Sequence, residues 1–410
     1  MIRDVSSPSS EPAAAAARAE PAAPSRPLRV RTRNDYGVPF LVDSGQRNAR
    51  FLRRRWTPLH RFIYWADAFA ILPEPDYDMV HAINAVPVFD RRPFLVSFED
   101  YLPRVPEDRY VRWLEARLQR VLLSQRCVAL IAISEYALRQ FRRQSRHFPG
   151  REALEAKMEQ AYPAVDLRRS EPKALSSTLR LLFVGSDFMR KGGPALLRAH
   201  ERLRAEGVPV ETTVISSLRW HEGEYIGPPS AEYVERETAR LRQPGVVHHA
   251  GLANSEVLRV MDEADLFVLP TLHDTFGYVS LEALAGATPV MAAATCAQPE
   301  VVEDGVCGFL LPLENDSEVG KWVWTYRNRD PGYVEAYDQA VEVMAEAIAR
   351  NALACWTEPD LYPSLSAGAI ERVRTRFDRD RLRVRLEAIY ERCRERLPAP
   401  LLRRRSRRGG

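Results

Sequence analysis

The chain reads as an α/β protein of two Rossmann-like, doubly wound domains facing a cleft. Three observations predict it. Short apolar runs alternate with helical periodicity between residues 79 and 312. The 410 residues leave room for two cores, and the hydrophobic share is 45%. No apolar run approaches the ~20 residues that span a bilayer. Strands alternating with helices at this spacing build parallel sheets.

In chain order, residues 1–27 are rich in Ala, Pro and Ser and read as a disordered leader. A front domain is expected over 28–165. Its start, Leu28 to Val42, is polar and broken, and only Ser44-Gly45 hints at a glycine loop, so this domain reads as reduced. The clearest front strands are Met79 to Ile83, after the turn at Pro73 to Asp76, and Phe94 to Phe98, which ends at Glu99-Asp100. Arg109 to Ser124 has Trp113, Leu114, Leu118, Val121 and Leu122 on one helical face. Val128 to Ile133 is a buried strand, and Ser134 caps a helix from Glu135 to about Arg143.

The rear domain is expected over 166–378. Its strands are Leu179 to Val184, Val210 to Ile215, Val246 to His249, Leu266 to Leu269, Pro289 to Ala292 and Gly308 to Leu311, with a helix at Gly193 to Glu206. Leu382, Leu386, Ile389 and Tyr390 recur at helical spacing within a last helix, 379–397, before a basic tail, 398–410.

Five scattered cysteines without C-x-x-C spacing fit neither a zinc site nor a disulfide framework, and they suit a reducing cytoplasm. Charge is uneven. Residues 28–165 carry 23 Lys/Arg against 16 Asp/Glu, whereas residues 166–402 carry 28 against 36. A basic front half fits an anionic acceptor or an anionic membrane face. Only four basic residues are lysines, so part of the arginine content is compositional bias. No recognition motif accompanies the charge, so nucleic acid is not an expected partner.

Two segments carry chemistry. In Pro270 to Val290 a strand closes, Thr275-Phe276-Gly277 turns, and a helix opens around Ser280. Asp274 and Glu282 bracket that turn, which suits a ligand with phosphates for backbone N–H groups and hydroxyls for carboxylates. Phe276 reads as packing, and Gly277 as a turn former whose backbone can still meet a ligand. In Phe183 to Gly193, a strand, the Gly185-Ser186-Asp187 turn and the basic pair Arg190-Lys191 form an anion cradle. Taken alone, that pair would read as solvated charge. In the front half, His81 and Asn84 lie near a strand end where a ligand hydroxyl or ring could reach them, and a histidine there serves equally to cap local backbone.

Pro270 to Val290 resembles the Glu-x7-Glu signature of family-4 retaining glycosyltransferases, which have the GT-B fold. The likeness extends over 179–312 and, more loosely, 79–166, where Gln160 to Asp166 resembles the crossing segment between domains. The resemblance implies that Asp274, in place of the family's first Glu, lies by the donor sugar, and that Glu282 holds the ribose. Lys191 matches the lysine of the donor-phosphate loop. Ser186 replaces that loop's arginine, and Arg190 is expected to supply the charge. Glu99-Asp100 stands where the family has His-Asp, with Glu99 in acceptor space. Cys296-Ala297-Gln298 replaces Gly-Gly before Pro299-Glu300, a loop not expected to keep glycine-only geometry. The resemblance further implies a nucleoside-diphosphate sugar donor, a sugar or lipid-linked acceptor, no metal cofactor, and a cytoplasmic setting, peripheral to the inner membrane face. A non-catalytic GT-B-shaped scaffold and a nucleotide-sugar epimerase are the alternative readings.

Overall fold

The computed structural model describes residues 26–33, 38–54, 76–104, 112–220 and 225–397. The leader up to residue 25, the turn residues 73–75 and the tail 398–410 lie outside the described residues. The front part contains β1 (Leu28–Arg33), α1 (Val38–Leu41), β2 (Ala49–Arg54), β3 (Met79–Ile83), β4 (Phe94–Phe98), α2 (Arg112–Leu123), β5 (Cys127–Ala132), α3 (Glu135–Gln144), α4 (Arg151–Glu155) and β6 (Met158–Gln160). Its six strands form one parallel sheet, ordered β2-β1-β3-β4-β5-β6. β3, β4 and β5 are buried along their whole length, which is why their sequences are almost continuously apolar.

The rear part contains β7 (Leu179–Val184), α5 (Gly193–Ala205), β8 (Val210–Ile215), α6 (Ala231–Ala239), β9 (Val246–His249), α7 (Asn254–Glu263), β10 (Leu266–Leu269), α8 (Tyr278–Ala285), β11 (Val290–Ala293), α9 (Gln298–Val301) and β12 (Gly308–Leu311). The sheet order β12-β11-β10-β7-β8-β9 is the doubly wound order, and all its pairings are parallel. Three helices follow: α10 (Tyr333–Thr357), α11 (Leu361–Arg376) and α12 (Arg379–Glu395). α10 packs along α5, burying Tyr337, Val341, Met344 and Ile348 in the rear core.

The polar, broken start of the front domain is in fact a strand. Leu28 and Val30 of β1 are buried, while Arg29 and Arg26 pair with Asp78 at the head of β3. These two guanidiniums outweigh burial and hold the Asp78 carboxyl far below the ordinary range. α12 lies on the front sheet, with Leu382, Leu386, Ile389 and Tyr390 against Leu28, Val30, Met79, Leu95 and Ile131. All five cysteines are buried with free thiols.

Front and rear meet across a polar seam. Glu300 accepts the backbone N–H of Glu135 and of Tyr136, each at 2.7 Å, at the N-terminus of α3. Such groups have no partner within the helix, and a carboxylate also suits the helix dipole. Arg139 Nε donates to the Val319 carbonyl at 3.2 Å, and Arg146 pairs with Glu318.

Candidate functional site

Two loops meet at the carboxyl ends of β7 and β10, where open parallel sheets hold their ligands. After β7 the chain passes Gly185, exposed Ser186 and buried Asp187 before entering α5. Gly192 has φ 77°, and a Cβ there would strike the Pro270 carbonyl oxygen, so the two loops touch backbone to backbone. Arg190 ties them together. Its Nε donates to Asp187 Oδ2 and its Nη1 to the His273 carbonyl oxygen, both at 2.7 Å. Burial works against this guanidinium, but Tyr225, Asp187 and Asp274 overcome that and raise its pKa.

Lys191 Nζ pairs directly with the Asp274 carboxylate. Each side chain keeps 16% of its surface exposed, so the pair stays open to a ligand. Burial alone would raise the Asp274 pKa, but Lys191 and then Arg190 hold it below the usual carboxylate range. Beyond Asp274 come half-buried Thr275 and Phe276, which packs near Tyr278 and Phe377. Gly277, at φ 77°, opens α8, and a Cβ there would collide with the Gln298 amide. That amide donates to the Phe276 carbonyl oxygen at 2.8 Å and accepts from Ser280 Oγ at 3.0 Å. Gln298 thereby fixes the turn. Glu282 follows on α8, only 6% exposed, and its carbonyl oxygen accepts Arg168 Nη2 at 2.8 Å.

On the front side, Asn84 and Glu99 form a reciprocal pair: Asn84 Nδ2 donates to Glu99 Oε1 at 3.0 Å, and the Glu99 N–H to Asn84 Oδ1 at 3.1 Å. Arg104 also donates to Glu99, at 2.6 Å. His81 corrects the expectation. It lies inside β3, fully buried, with Nδ1 2.9 Å from Tyr390 Oη and Nε2 2.8 Å from Ser97 Oγ. With both ring nitrogens engaged it ties α12 to the sheet and does not face the cleft. Burial also pushes its pKa down to about 3.

Further residues join the two sides without having been singled out in the sequence. Lys321 Nζ donates to Tyr101 Oη at 2.7 Å and lies 5.4 Å from the Tyr326 ring. Tyr326 stacks on Tyr225, whose hydroxyl meets His273 Nδ1 at 3.2 Å. A chain of contacts thus runs from the loop after β4 to the residue beside Asp274. Burial, with Lys321 and Arg190 nearby, pushes His273 down to about 3, so its ring is neutral. Asp100 is 7% exposed, and burial pushes its carboxyl up to about 6, against the pull of Lys321 and Arg104. The one sequence signal here was scarcity, since Lys321 is one of only four lysines.

The loop at Cys296 makes its left-handed turn without a glycine. Cys296 has φ 53° and its N–H donates to the Gly320 carbonyl oxygen at 2.7 Å. A side chain in that region costs about 1–2 kcal/mol, borne here within a tightly buried loop.

Among the described residues no cluster of three or more His, Cys, Asp or Glu side chains forms a metal site, and no helix is long and apolar enough to cross a membrane.

Residues 178–323 match the family model for glycosyl transferases group 1. Over 150 residues the chain is 32% identical to the MMP alpha-(1->4)-mannosyltransferase of Mycolicibacterium hassiacum, covering 36% of this chain and 34% of that protein. Over 73 residues it is 40% identical to the D-inositol 3-phosphate glycosyltransferase of Mycobacterium sp. strain KMS, covering 18% of this chain and 16% of that one. The chain spans about a third or less of the length of these relatives. In structure it is similar to Anabaena HepE in complex with UDP-glucose, with TM-score 0.57, 14% identity and coverage of 89% and 99%. It is also similar to the sucrose-phosphate synthase of Thermosynechococcus elongatus, with TM-score 0.57, 14% identity and coverage of 90% and 99%. The two facing parallel sheets are the GT-B fold.

Proposed function

We propose that this chain, with a group 1 glycosyl transferase segment on a GT-B frame, transfers a sugar from a nucleoside-diphosphate sugar to an acceptor hydroxyl with retention at the anomeric carbon. The observation that carries the reading is the contact between Lys191 and Asp274. A cation suited to a diphosphate and a carboxylate suited to sugar hydroxyls stand side by side, as they must where the anomeric carbon joins phosphate. Arg190 fixes the two loops that carry them, and Glu282 is assigned to the ribose. Ser186, Gly185, Thr275 and the N–H groups around Gly277 line the donor position, with Phe276 supporting the turn from beneath.

In the reaction the bond from the anomeric carbon to the phosphate oxygen breaks, and the electron pair leaves with the diphosphate. The acceptor hydroxyl attacks from the same face and gives its proton to the departing phosphate oxygen. Lys191, Arg190 and the backbone N–H groups stabilise the charge that develops. Compensation is assigned to these groups and to no metal. Glu99 and Asn84 border the acceptor side. The acceptor is a glycan, glycolipid or small molecule of polysaccharide or cell-envelope synthesis, met in the cytoplasm or at the inner membrane face. The basic front half supports that placement. The paired cation and carboxylate favour turnover over a scaffold role.

The test is release of nucleoside diphosphate from a panel of UDP-, GDP- and ADP-sugars. The wild type should hydrolyse one donor slowly, and Lys191→Ala should lower that rate about 100-fold. Glu282→Ala should weaken donor binding in calorimetry. Failure of every donor to bind the wild type overturns the reading.

A further inference from the structure

The chain passes between its two halves at the segment 160–166 and at the turn from α11 to α12, and these lie together. The Val165 N–H donates to the Phe377 carbonyl oxygen at 3.1 Å, and Arg379 Nε to Asp166 Oδ1 at 2.6 Å. Beside this junction open two adjoining clefts of about 430 and 210 Å³, which share Gln160, Tyr162, Arg376 and Arg381.

Arginine is common in this chain, but most arginines near the junction are neutralised. Arg372 pairs with Glu303, Arg379 with Asp166, Arg383 with Asp380 and Arg392 with Glu159. Arg376 and Arg381 differ. Arg376 donates to Tyr162 Oη at 2.6 Å and lies 4.5 Å above that ring. Arg381 donates to the Thr375 carbonyl oxygen at 2.6 Å. Among the described residues neither has a carboxylate partner, and both line both clefts. The Gln160 amide nitrogen is buried and unpartnered in the same place. The acids at the rim are Glu135 in one cleft and Asp378 in the other, and Asp378 is engaged in capping α12.

We propose that these joined clefts bind a phosphate-bearing anion, held by Arg376 and Arg381 with the Gln160 amide as a neutral donor. Forked guanidinium groups match the oxygens of a phosphate, and the space admits a diphosphate or a phosphate ester. The site is separate from the Lys191–Asp274 pair and rests on none of its residues. It also touches the seam between the halves. Tyr162, which accepts from Arg376, donates to Glu300 Oε2 at 2.9 Å, and Glu300 caps α3. An anion on Arg376 is therefore linked through Tyr162 to the carboxylate that caps α3.

Calorimetry with inorganic pyrophosphate on the full chain tests the site, since it needs no turnover. Lys191→Ala, which disables the donor cradle, should still bind pyrophosphate. Arg376→Gln/Arg381→Gln in that background should weaken binding tenfold or more. Arg376→Lys/Arg381→Lys keeps both charges but loses the forks and should bind more weakly than its parent yet more tightly than the Gln pair, which separates loss of a ligand from loss of the fold. A second arm measures co-sedimentation with phosphatidylglycerol vesicles. Loss of vesicle binding alone in the Gln pair assigns the anion to a lipid headgroup, and loss of pyrophosphate binding assigns it to a free phosphate. If the Gln pair binds both probes as its parent does, the proposal is overturned.

Discussion

Asp100 shows how one side chain can carry a pH response. Its carboxyl is buried where the loop after β4 meets Tyr136 and Lys321, and burial holds its pKa at about 6. The native state therefore keeps this proton to a higher pH than the unfolded chain does. Stability associated with Asp100 is full below the ordinary carboxylate range and is lost as pH rises through about 6. Asp100→Asn removes that loss. Denaturant unfolding from about pH 4 to about pH 7 should show the wild type losing roughly 2 kcal/mol relative to the variant. Parallel curves would mean that the carboxyl titrates normally. At the same scale Lys191 and Asp274 hold each other in place, so replacing either also releases its partner, and their effects should not add.

At the scale of elements, α12 is held to the front sheet by apolar packing and by several polar contacts, among them Tyr390 Oη to His81 Nδ1 and Arg392 to Glu159. Tyr390→Phe keeps the packing and leaves a buried ring nitrogen unpartnered. It should cost about 1–3 kcal/mol, read as a lower unfolding midpoint, without changing donor binding. The helix itself was legible from Leu382, Leu386, Ile389 and Tyr390, and β10 and β11 from their apolar runs, because a strand covered on both faces writes its burial directly into sequence. β1 was not legible, since Arg29 finds Asp78 and Arg31 finds Tyr77, and both tolerate a covered strand that composition alone presents as polar. α10 and α11 went unassigned although Tyr337, Val341, Met344 and Ile348 have helical spacing. His81 misled for a related reason: a histidine near a strand end looks the same whether it meets a ligand or a tyrosine from a helix more than 300 residues away. The turn at Asp274 was readable because glycine, acids and helix start lie in one stretch. Lys321 and Tyr225 approach it from separate loops, and no local pattern marks them.

For the whole molecule, the decisive contacts are those between the halves. Glu300 satisfies two N–H groups at the start of α3 and accepts from Tyr162, so one rear carboxylate holds a front helix and the crossing segment together. Glu300→Ala should cost about 2 kcal/mol and widen the distance distribution in small-angle scattering as the halves part more freely. An unchanged distribution would place the seam's strength in Arg139, Arg146 and Lys321 instead. For the proposed transfer reaction, closure matters because an open cleft admits water to the donor.

The position of α12 also bears on how the chain is made. The apolar face formed by Leu28, Val30, Met79, Leu95 and Ile131 is covered by residues synthesised after position 378. The front sheet, though first to emerge from the ribosome, stays uncovered on that face until the whole rear sheet has been translated. Until α12 is made, that apolar face has no cover, and exposed apolar surface during synthesis favours aggregation.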